Sequence, residues 1–228
     1  MSLLSIGKSG LLAAQVGLST TGHNIANANV PGYSRQTLVQ SNTQPQGSGG
    51  YFIGTGTEVT QIKRQYDDFL TKQLLGAETK AASLNGFYAQ ISQIDNLLAD
   101  STSGLSPALQ DFFKGVQDAT ANAATDASRS AMLSTANTLA ARFQGLNDRL
   151  NEISDGVNSQ ITATVTQINS YAEQIGKLNN DIAGLTVDPS KAPNDLLDQR
   201  DQLINELNKH IRTDVITQSD GSFSVFLK

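Results

Sequence analysis

The sequence predicts a mainly α protein: a helical bundle with coiled-coil-like seams, preceded by an N-terminal helix and an extended arm and followed by the start of a β-rich domain. Three observations predict it. From about Asp67 to His210 apolar residues recur roughly every 3.5 positions, the period of helices packed side by side. Charge is divided, because residues 1–60 carry only Lys8, Arg35 and Glu58 while the remainder carries the other 34 of the 37 charged residues, so the two regions face different surroundings. The last residues change to the two-residue alternation of a strand. The bounds that follow are 1–60 for the helix and arm, 61–212 for an elongated bundle and 213–228 for a β-rich domain cut short.

In the first helix Leu4, Leu11, Leu18 and Ile25 stand seven apart, and Gly7, Ala14, Thr21 and Ala28 follow each by three. This is a heptad whose second position is always small, so a partner helix can approach closely. An ordinary core helix of a globular domain is the alternative, but the polar face is built from Ser, Thr, Asn and Gln with almost no charge, as for a helix surrounded by other protein. Val30-Pro31-Gly32 ends it, since proline bars the preceding residue from helical angles and lacks a donor. Residues 36–56 read as loop, with 44–50 the most flexible part, and short runs at 36–40, 51–53 and 58–64 read as strands of the arm.

A long helix starts near Asp67, with the seam Leu70, Leu74, Ala77, Ala81, Leu84, Tyr88, Ile91, Ile94 and Leu98. Ser106-Pro107 reads as an N-cap followed by proline at the first helical position, opening a segment from Ala108 to about Asn122. Thr125 or Asp126 caps the longest helix, about Ser128 to Leu185, whose seam runs through Leu139, Phe143, Leu146, Leu150, Ile153, Val157, Ile161, Val165, Ile168, Ala172, Ile175, Leu178, Ile182 and Leu185. Such a helix is about 85 Å long at ~1.5 Å per residue, with Gly156 the candidate break. After Asp188-Pro189 and Ala192-Pro193, Asn194 caps a last helix to about His210. Val215 to Thr217, the turn Ser219-Asp220-Gly221 and Phe223 to Leu227 then read as a hairpin.

Composition excludes several functions. A net charge of −5 and a pI near 4.9 leave no basic footprint for nucleic acid. No run approaches the ~18 apolar residues of a membrane span, and no cleavable signal peptide is visible. Without cysteine there is no disulfide frame, thiol nucleophile or Cys-ligated zinc. Gly7-Lys8-Ser9 lacks the earlier glycine and strand of a phosphate loop, and Gly54-Thr55-Gly56 reads as a turn. His23 and His210 lack metal-ligand spacing, and Ser19 beside His23 has no orienting carboxylate. Asp195, Asp198 and Asp201, three apart on one helix, read as a solvated or ion-paired face that Arg200 and Lys209 balance, because a calcium loop needs alternating ligands and a glycine. No catalytic, cofactor or metal residues are assigned, and the expectation is not an enzyme. A coiled-coil adhesin or signalling fragment is the rival class. Asn, Gln, Ser and Thr make up 78 of the 228 residues, which suits many packed contacts rather than one reactive site.

His23-Asn24-Ile25-Ala26-Asn27-Ala28-Asn29 with Pro31-Gly32-Tyr33 resembles the N-terminal motif of bacterial flagellar rod, hook and hook-associated proteins, and Pro31 to Gln36 is similar in particular to the hook-associated protein 1 family. Leu105 to Phe113 and Pro193 to Asp201 are similar to that family as well, so the resemblance spans essentially the whole sequence. Val30 stands where relatives often carry threonine. The resemblance implies a structural, extracellular protein joining hook to filament, exported unprocessed by the flagellar type III apparatus, with another hook or rod component as the alternative. It implies partners that are copies of itself in a ring or tube, hook protein, a neighbouring junction or filament protein and the export apparatus. It further implies that the N-terminal helix is axial and pairs with a C-terminal helix, which this sequence lacks, along with most of an outer β domain. The expected assembly interface is Leu4, Leu11, Leu18, Asn24, Ile25, Asn27, Asn29, Pro31, Gly32 and Tyr33, the asparagines bonding across the interface while Pro31-Gly32 turns the chain outward.

Overall fold

The computed structural model describes residues 3–99, 104–186, 191–218 and 221–227. Along them run α1 (Leu3–Ala26), β1 (Gln36–Asn42), β2 (Gln46–Ser48), β3 (Tyr51–Ile53), β4 (Thr57–Arg64), α2 (Asp68–Ala99), α3 (Leu105–Ala121), α4 (Asp126–Leu185), α5 (Asn194–His210), β5 (Thr213–Thr217) and β6 (Phe223–Leu227). The mainly α architecture, the strands of the arm and the closing hairpin are those that the apolar spacing predicts. Asp188-Pro189 and the Ser219-Asp220 part of the last turn lie outside the described residues. The strands form three separate antiparallel pairs, β1 with β4, β2 with β3 and β5 with β6.

Contacts divide the chain into one unit of residues 1–79 with 167–228 and a second of residues 80–166. The sequence bounds at 60 and 212 fall elsewhere, because polar groups of the arm find their partners on α5 and draw both into one unit.

In the first unit α1 packs along the β1–β4 ribbon. Its inward face is small: Ala13 and Thr20 are buried, and a Cβ on Gly17 would lie 3.6 Å from Leu38 Cδ2. The ribbon runs from the pair Gln36↔Arg64 to Asn42↔Thr57, with a register shift at Val39/Gln40. Residues 44–50, which composition marks as the most flexible loop, instead supply β2 and a tight turn. Gly49 and Gly50 both take positive φ, 57° and 91°, the two-residue geometry that matches the twist of a hairpin. The core of this unit is Ile175, Ile204 and Leu207, with Leu75, Ile168, Tyr171, Val215 and Phe223 packed on it. Each fully buried aliphatic side chain there contributes about 1.5–3 kcal/mol.

Helix ends differ from the sequence reading in instructive ways. α2 starts where the periodicity predicts, and Asp67 caps it, Oδ1 accepting the N–H groups of Phe69 and Leu70 at 3.0 Å. The inward side chains at its start are Leu75 and Thr79, however, while Leu70, Leu74, Leu84 and Tyr88 of the expected seam are exposed. Asn208 of α5 grips Leu75 and Thr79, and that rotates the seam outward. The α3 cap is Gly104, not Ser106, and it makes no side-chain cap bond. Pro107 therefore sits inside the first turn, where its missing N–H leaves nothing unpaired. Likewise Asn194 opens α5 after an N-cap at Pro193 instead of capping it, because its amide is used elsewhere. α4 is one helix of 60 residues with no break at Gly156.

In the second unit Ala108 and Leu146 are buried. A Cβ on Gly115 would meet Thr135 Oγ1 at 2.7 Å and Met132 Cα at 3.5 Å, so glycine lets α3 and α4 close up. Gln90 Nε2 donates to Gln160 Oε1 at 3.2 Å. Of the α4 seam, Phe143, Leu150, Ile161 and Val165 are exposed. A 3.5-residue pattern drifts around a straight 3.6-residue helix by ~20° per heptad, so one neighbour cannot cover all of it.

Candidate assembly interface

Every position of the predicted heptad on α1 is exposed. Leu4 is 83% exposed, Leu11 74%, Leu18 75% and Ile25 72%; Gly7, Ala14 and Thr21 between them are exposed too, and Ala28 lies in the turn past the end of α1 at Ala26. The opposite face supplies the contacts with the rest of the chain. Ser9 Oγ accepts the Thr57 N–H at 3.2 Å and donates to the Ile6 carbonyl at 2.8 Å, so the residue that mimicked a phosphate loop is a tie to β4.

The C-terminal end of α1 is locked to α5 by a polar joint. Asn24 acts as a clamp: Oδ1 accepts from the Gln36 N–H and from the Tyr33 hydroxyl, and Nδ2 donates to the Gln36 carbonyl, each at 2.8 Å. Gln36 Nε2 donates to Asp195 Oδ1 at 2.7 Å, and Asn194 Nδ2 donates to the Ile62 carbonyl at 2.8 Å. His23 Nε2 lies 3.1 Å from Asp195 Oδ1. A carboxylate only accepts, so Nε2 carries the proton and Nδ1 faces Asn27 Nδ2 at 3.2 Å. Asp195 sits in the first turn of α5 and His23 in the last turn of α1, the ends where the helix dipoles favour each.

Behind this joint Arg64 Nη1 bridges Asp198 Oδ1 at 2.9 Å and Asp201 Oδ2 at 2.6 Å, and its guanidinium stands 4.3 Å from the Tyr66 ring centroid. The second Asp198 oxygen accepts the Ser34 N–H at 2.8 Å. Burial opposes the Arg64 charge, but the two carboxylates outweigh it and hold the group above its ordinary value. Burial pushes Asp201 up more than Arg64 pulls it down, and its Oδ1 is buried without a partner. The Tyr33 hydroxyl is raised by burial, then by Asp195 and Asp198. Asp198 and Asp201 are thus ion-paired with Arg64, and Asp195 faces His23.

Arg200, expected to balance that row, points the other way. It is 1% exposed, stacks on Phe223 with its guanidinium 3.4 Å from the ring centroid, and donates to Asn179 Oδ1 and the Gly221 carbonyl. Burial lowers it to about 10. Lys209 pairs with Glu206. Asn208, also 1% exposed, uses all its capacity: Nδ2 donates to the Leu75 carbonyl and to Thr79 Oγ1, and Oδ1 accepts from the N–H and hydroxyl of Thr213.

Of the expected interface residues, then, Leu4, Leu11, Leu18, Ile25, Asn29, Pro31 and Gly32 are on the surface, and Tyr33 is half-buried. Asn24 and Asn27 spend their amides inside the chain. The Val30–Tyr33 turn closes with Tyr33 N–H donating to the Val30 carbonyl at 3.2 Å and Gly32 at φ 80°, a type II turn. It is packed on α5, since a Cβ on Gly32 would lie 2.9 Å from Gln202 Cβ. Sequence reasoning missed Gln36, Arg64, Asn179 and Asn208. The one available signal was the row of three carboxylates on one face of α5.

Among the described residues no group of three or more acidic or histidine side chains is placed to hold a metal, and no helix is long and apolar enough to cross a membrane. Leu4, Leu11, Leu18 and Ile25 thus run exposed along one face of α1, which a polar joint ties to α5. A family model described as flagellar hook-associated protein FlgK helical domain matches residues 91–228, and one described as flagella basal body rod protein matches residues 4–33. The chain belongs to the flagellar hook-associated protein FlgK family. Flagellar hook-associated protein 1 of Salmonella typhimurium is 43% identical over 225 residues, which cover 98% of this chain and 41% of that protein. The proteins of the same name from Escherichia coli and Bacillus subtilis are 40% and 29% identical. In structure the chain is similar to the flagellar hook junction protein FlgK from Burkholderia pseudomallei, with a TM-score of 0.61 and 38% identity over 68% of this chain and 27% of that one. The chain thus spans about two fifths of the length of the Salmonella and Escherichia relatives.

Proposed function

We propose that this chain is a structural axial component of the bacterial flagellum, joining hook to filament outside the cell, and that it assembles through the open face of α1. Copies of itself, the hook protein, a neighbouring junction or filament protein and the export apparatus are its partners. The observation that carries this reading is that the whole Leu4–Leu11–Leu18–Ile25 stripe is exposed while the opposite face of the same helix is packed. An apolar stripe of that length is stable in water only when another helix covers it. The polar joint supports the reading too, because it holds α1 at a set angle instead of leaving it as a loose tail. Asn29 and Pro31 extend the surface past the end of the stripe. The FlgK match over residues 91–228 favours the junction over a hook or rod position, since the rod match covers only the shared N-terminal segment.

Leu11→Lys combined with Leu18→Lys tests this. Cells carrying the double variant in the full-length gene are expected to lose filaments and motility, while the purified variant keeps its helical circular dichroism and its melting temperature. Normal filaments on those cells would overturn the reading.

A further inference from the structure

The β1–β4 ribbon has one covered face and one open face. On the covered face Gln36 bonds Asp195, Leu38 Cδ2 lies against Gly17, and Arg64 bridges Asp198 and Asp201. Side chains alternate along a strand, so Arg35, Thr37, Lys63 and Gln65 share the other face. The ladder continues past β1 to Arg35, whose carbonyl accepts the Gln65 N–H at 2.8 Å, and Thr37 pairs with Lys63. Arg35 and Lys63 are therefore diagonal neighbours, about 7–8 Å apart, and both are exposed. Asp67, which lines the same groove as Lys63, caps α2 instead. Among the described residues neither cation has an ionic partner. Two like charges so placed repel, a cost that the chain by itself does not offset.

An anion without a cation stands level with them on the other side of the ribbon. Asp195 Oδ1 accepts from Gln36 Nε2 and His23 Nε2, and the imidazole, accepting from Asn27 at Nδ1, is neutral. The Asp195 side chain is 56% exposed and lines two open clefts. The α5 N-terminus favours its charge but brings no ionic partner. Arg35 is turned away from it, because Gln36, the next residue, is the one directed at Asp195. That adjacency also sets the heights: the cations and the carboxylate lie at one level along the ribbon, and α1 runs beside them with Asn24 bonded to Gln36.

We propose that Arg35 and Lys63 of one copy pair with Asp195 of a second copy standing beside it at the same level. The proposal rests on the reading that copies of this chain assemble. A free phosphate or a lipid headgroup would satisfy the two cations and leave Asp195 open, whereas a second copy answers both. Exposed charge pairs add little affinity and chiefly fix orientation and register. Here they would hold neighbouring copies side by side without an axial step, since a slip of one helical turn, ~5.4 Å, parts the charges. The leucine stripe lies on the opposite side of α1 from the ribbon and stays free for its own contact.

Gln65→Cys, opposite Arg35 in the ladder, and Gln199→Cys, one helical turn from Asp195, test this together in the full-length gene. Both positions are exposed, and the 228 residues contain no cysteine. Isolated flagella are treated with a short bis-maleimide. The expected product is a covalent multimer of this chain that neither single cysteine gives. Adding Arg35→Glu should lower its yield at least about tenfold, while Arg35→Lys keeps it. No multimer on flagella with normal filaments overturns the proposal. So does a multimer indifferent to Arg35→Glu, and so does one formed with Gln65→Cys alone, which joins like faces. Where the cysteine pair itself blocks assembly, Arg35→Glu and Arg35→Lys in the otherwise unchanged gene decide, with exported protein measured for both. Fewer filaments per cell with glutamate and a normal number with lysine, at equal export, support the pair; any other result overturns it. The assembly reading fails separately, through normal filaments on cells carrying Leu11→Lys with Leu18→Lys.

Discussion

α5 and α1 are built on opposite rules. Around α5 the most deeply buried side chains include Arg200, Asn208 and Asp198, each 5% exposed or less, whereas on α1 the most exposed side chains are leucines. A single polar group left unpaired in such a site costs about 1–3 kcal/mol, so the bonds made by Asn208, Asp198 and Arg64 favour one arrangement over near alternatives, while Arg200 Nε and Asp201 Oδ1 stay without a partner. Apolar surface has no such selectivity within the chain, and on α1 it is left open, where the proposed assembly would cover it. Polar residues around α5 set geometry, while the apolar stripe of α1 packs on nothing in the chain.

The comparison breaks most readily at the ion cluster. Arg64→Met leaves Asp198 and Asp201 buried without their cation and should destabilise the first unit by about 3–5 kcal/mol in urea denaturation. A loss below ~1 kcal/mol would mean that the cluster is wet and does not order the joint. Leu207→Ala in the small apolar core beneath it should cost about 2–5 kcal/mol, enough to show that α5 also carries ordinary packing. Asn208→Leu removes four hydrogen bonds and takes the Asn208 acceptor away from the Thr213 N–H and hydroxyl; about 1–3 kcal/mol is expected, with accelerated amide exchange at Thr213.

Acidity sharpens the same contrast through Asp201. Its folded-state value lies above the ordinary 3.8, so the folded chain holds this proton more tightly than the unfolded chain does. Its contribution to stability is therefore greatest below the unfolded value and declines as pH rises from there through the folded value. Asp201→Asn should abolish that part of the slope, read as a flatter difference in urea midpoints from pH 4 upward. At the far end of the scale, His23→Gln affects a half-exposed pair and should change stability by less than about 1 kcal/mol. Leu18→Ala should change the dilute monomer by no more than ~0.5 kcal/mol, since the side chain touches little. A loss of 2 kcal/mol there would show that α1 packs its stripe within the chain and would dissolve the distinction between the two helices.

Neighbours along the chain determined much of this protein without help from the fold. The 3.5-residue recurrence placed α2 and α4, Pro31-Gly32 marked a turn although α1 itself already ends at Ala26, the alternation at Phe223 to Leu227 placed β6, and the seven-residue spacing of Leu4, Leu11, Leu18 and Ile25 marked the face that is exposed. Those signals are local, because periodicity and turn preference depend on residues within one or two helical turns. Tertiary structure alone decided that α2 turns Leu75 and Thr79 inward, that Asn24 and Asn27 bond within the chain, and that Arg64 rather than Arg200 pairs with Asp198 and Asp201. Gln36 and Asp195, or Arg64 and Asp198, are more than 130 residues apart, and any buried carboxylate accepts any well-placed cation. Sequence names the groups that need partners, but the path of the chain brings one particular partner within 3 Å.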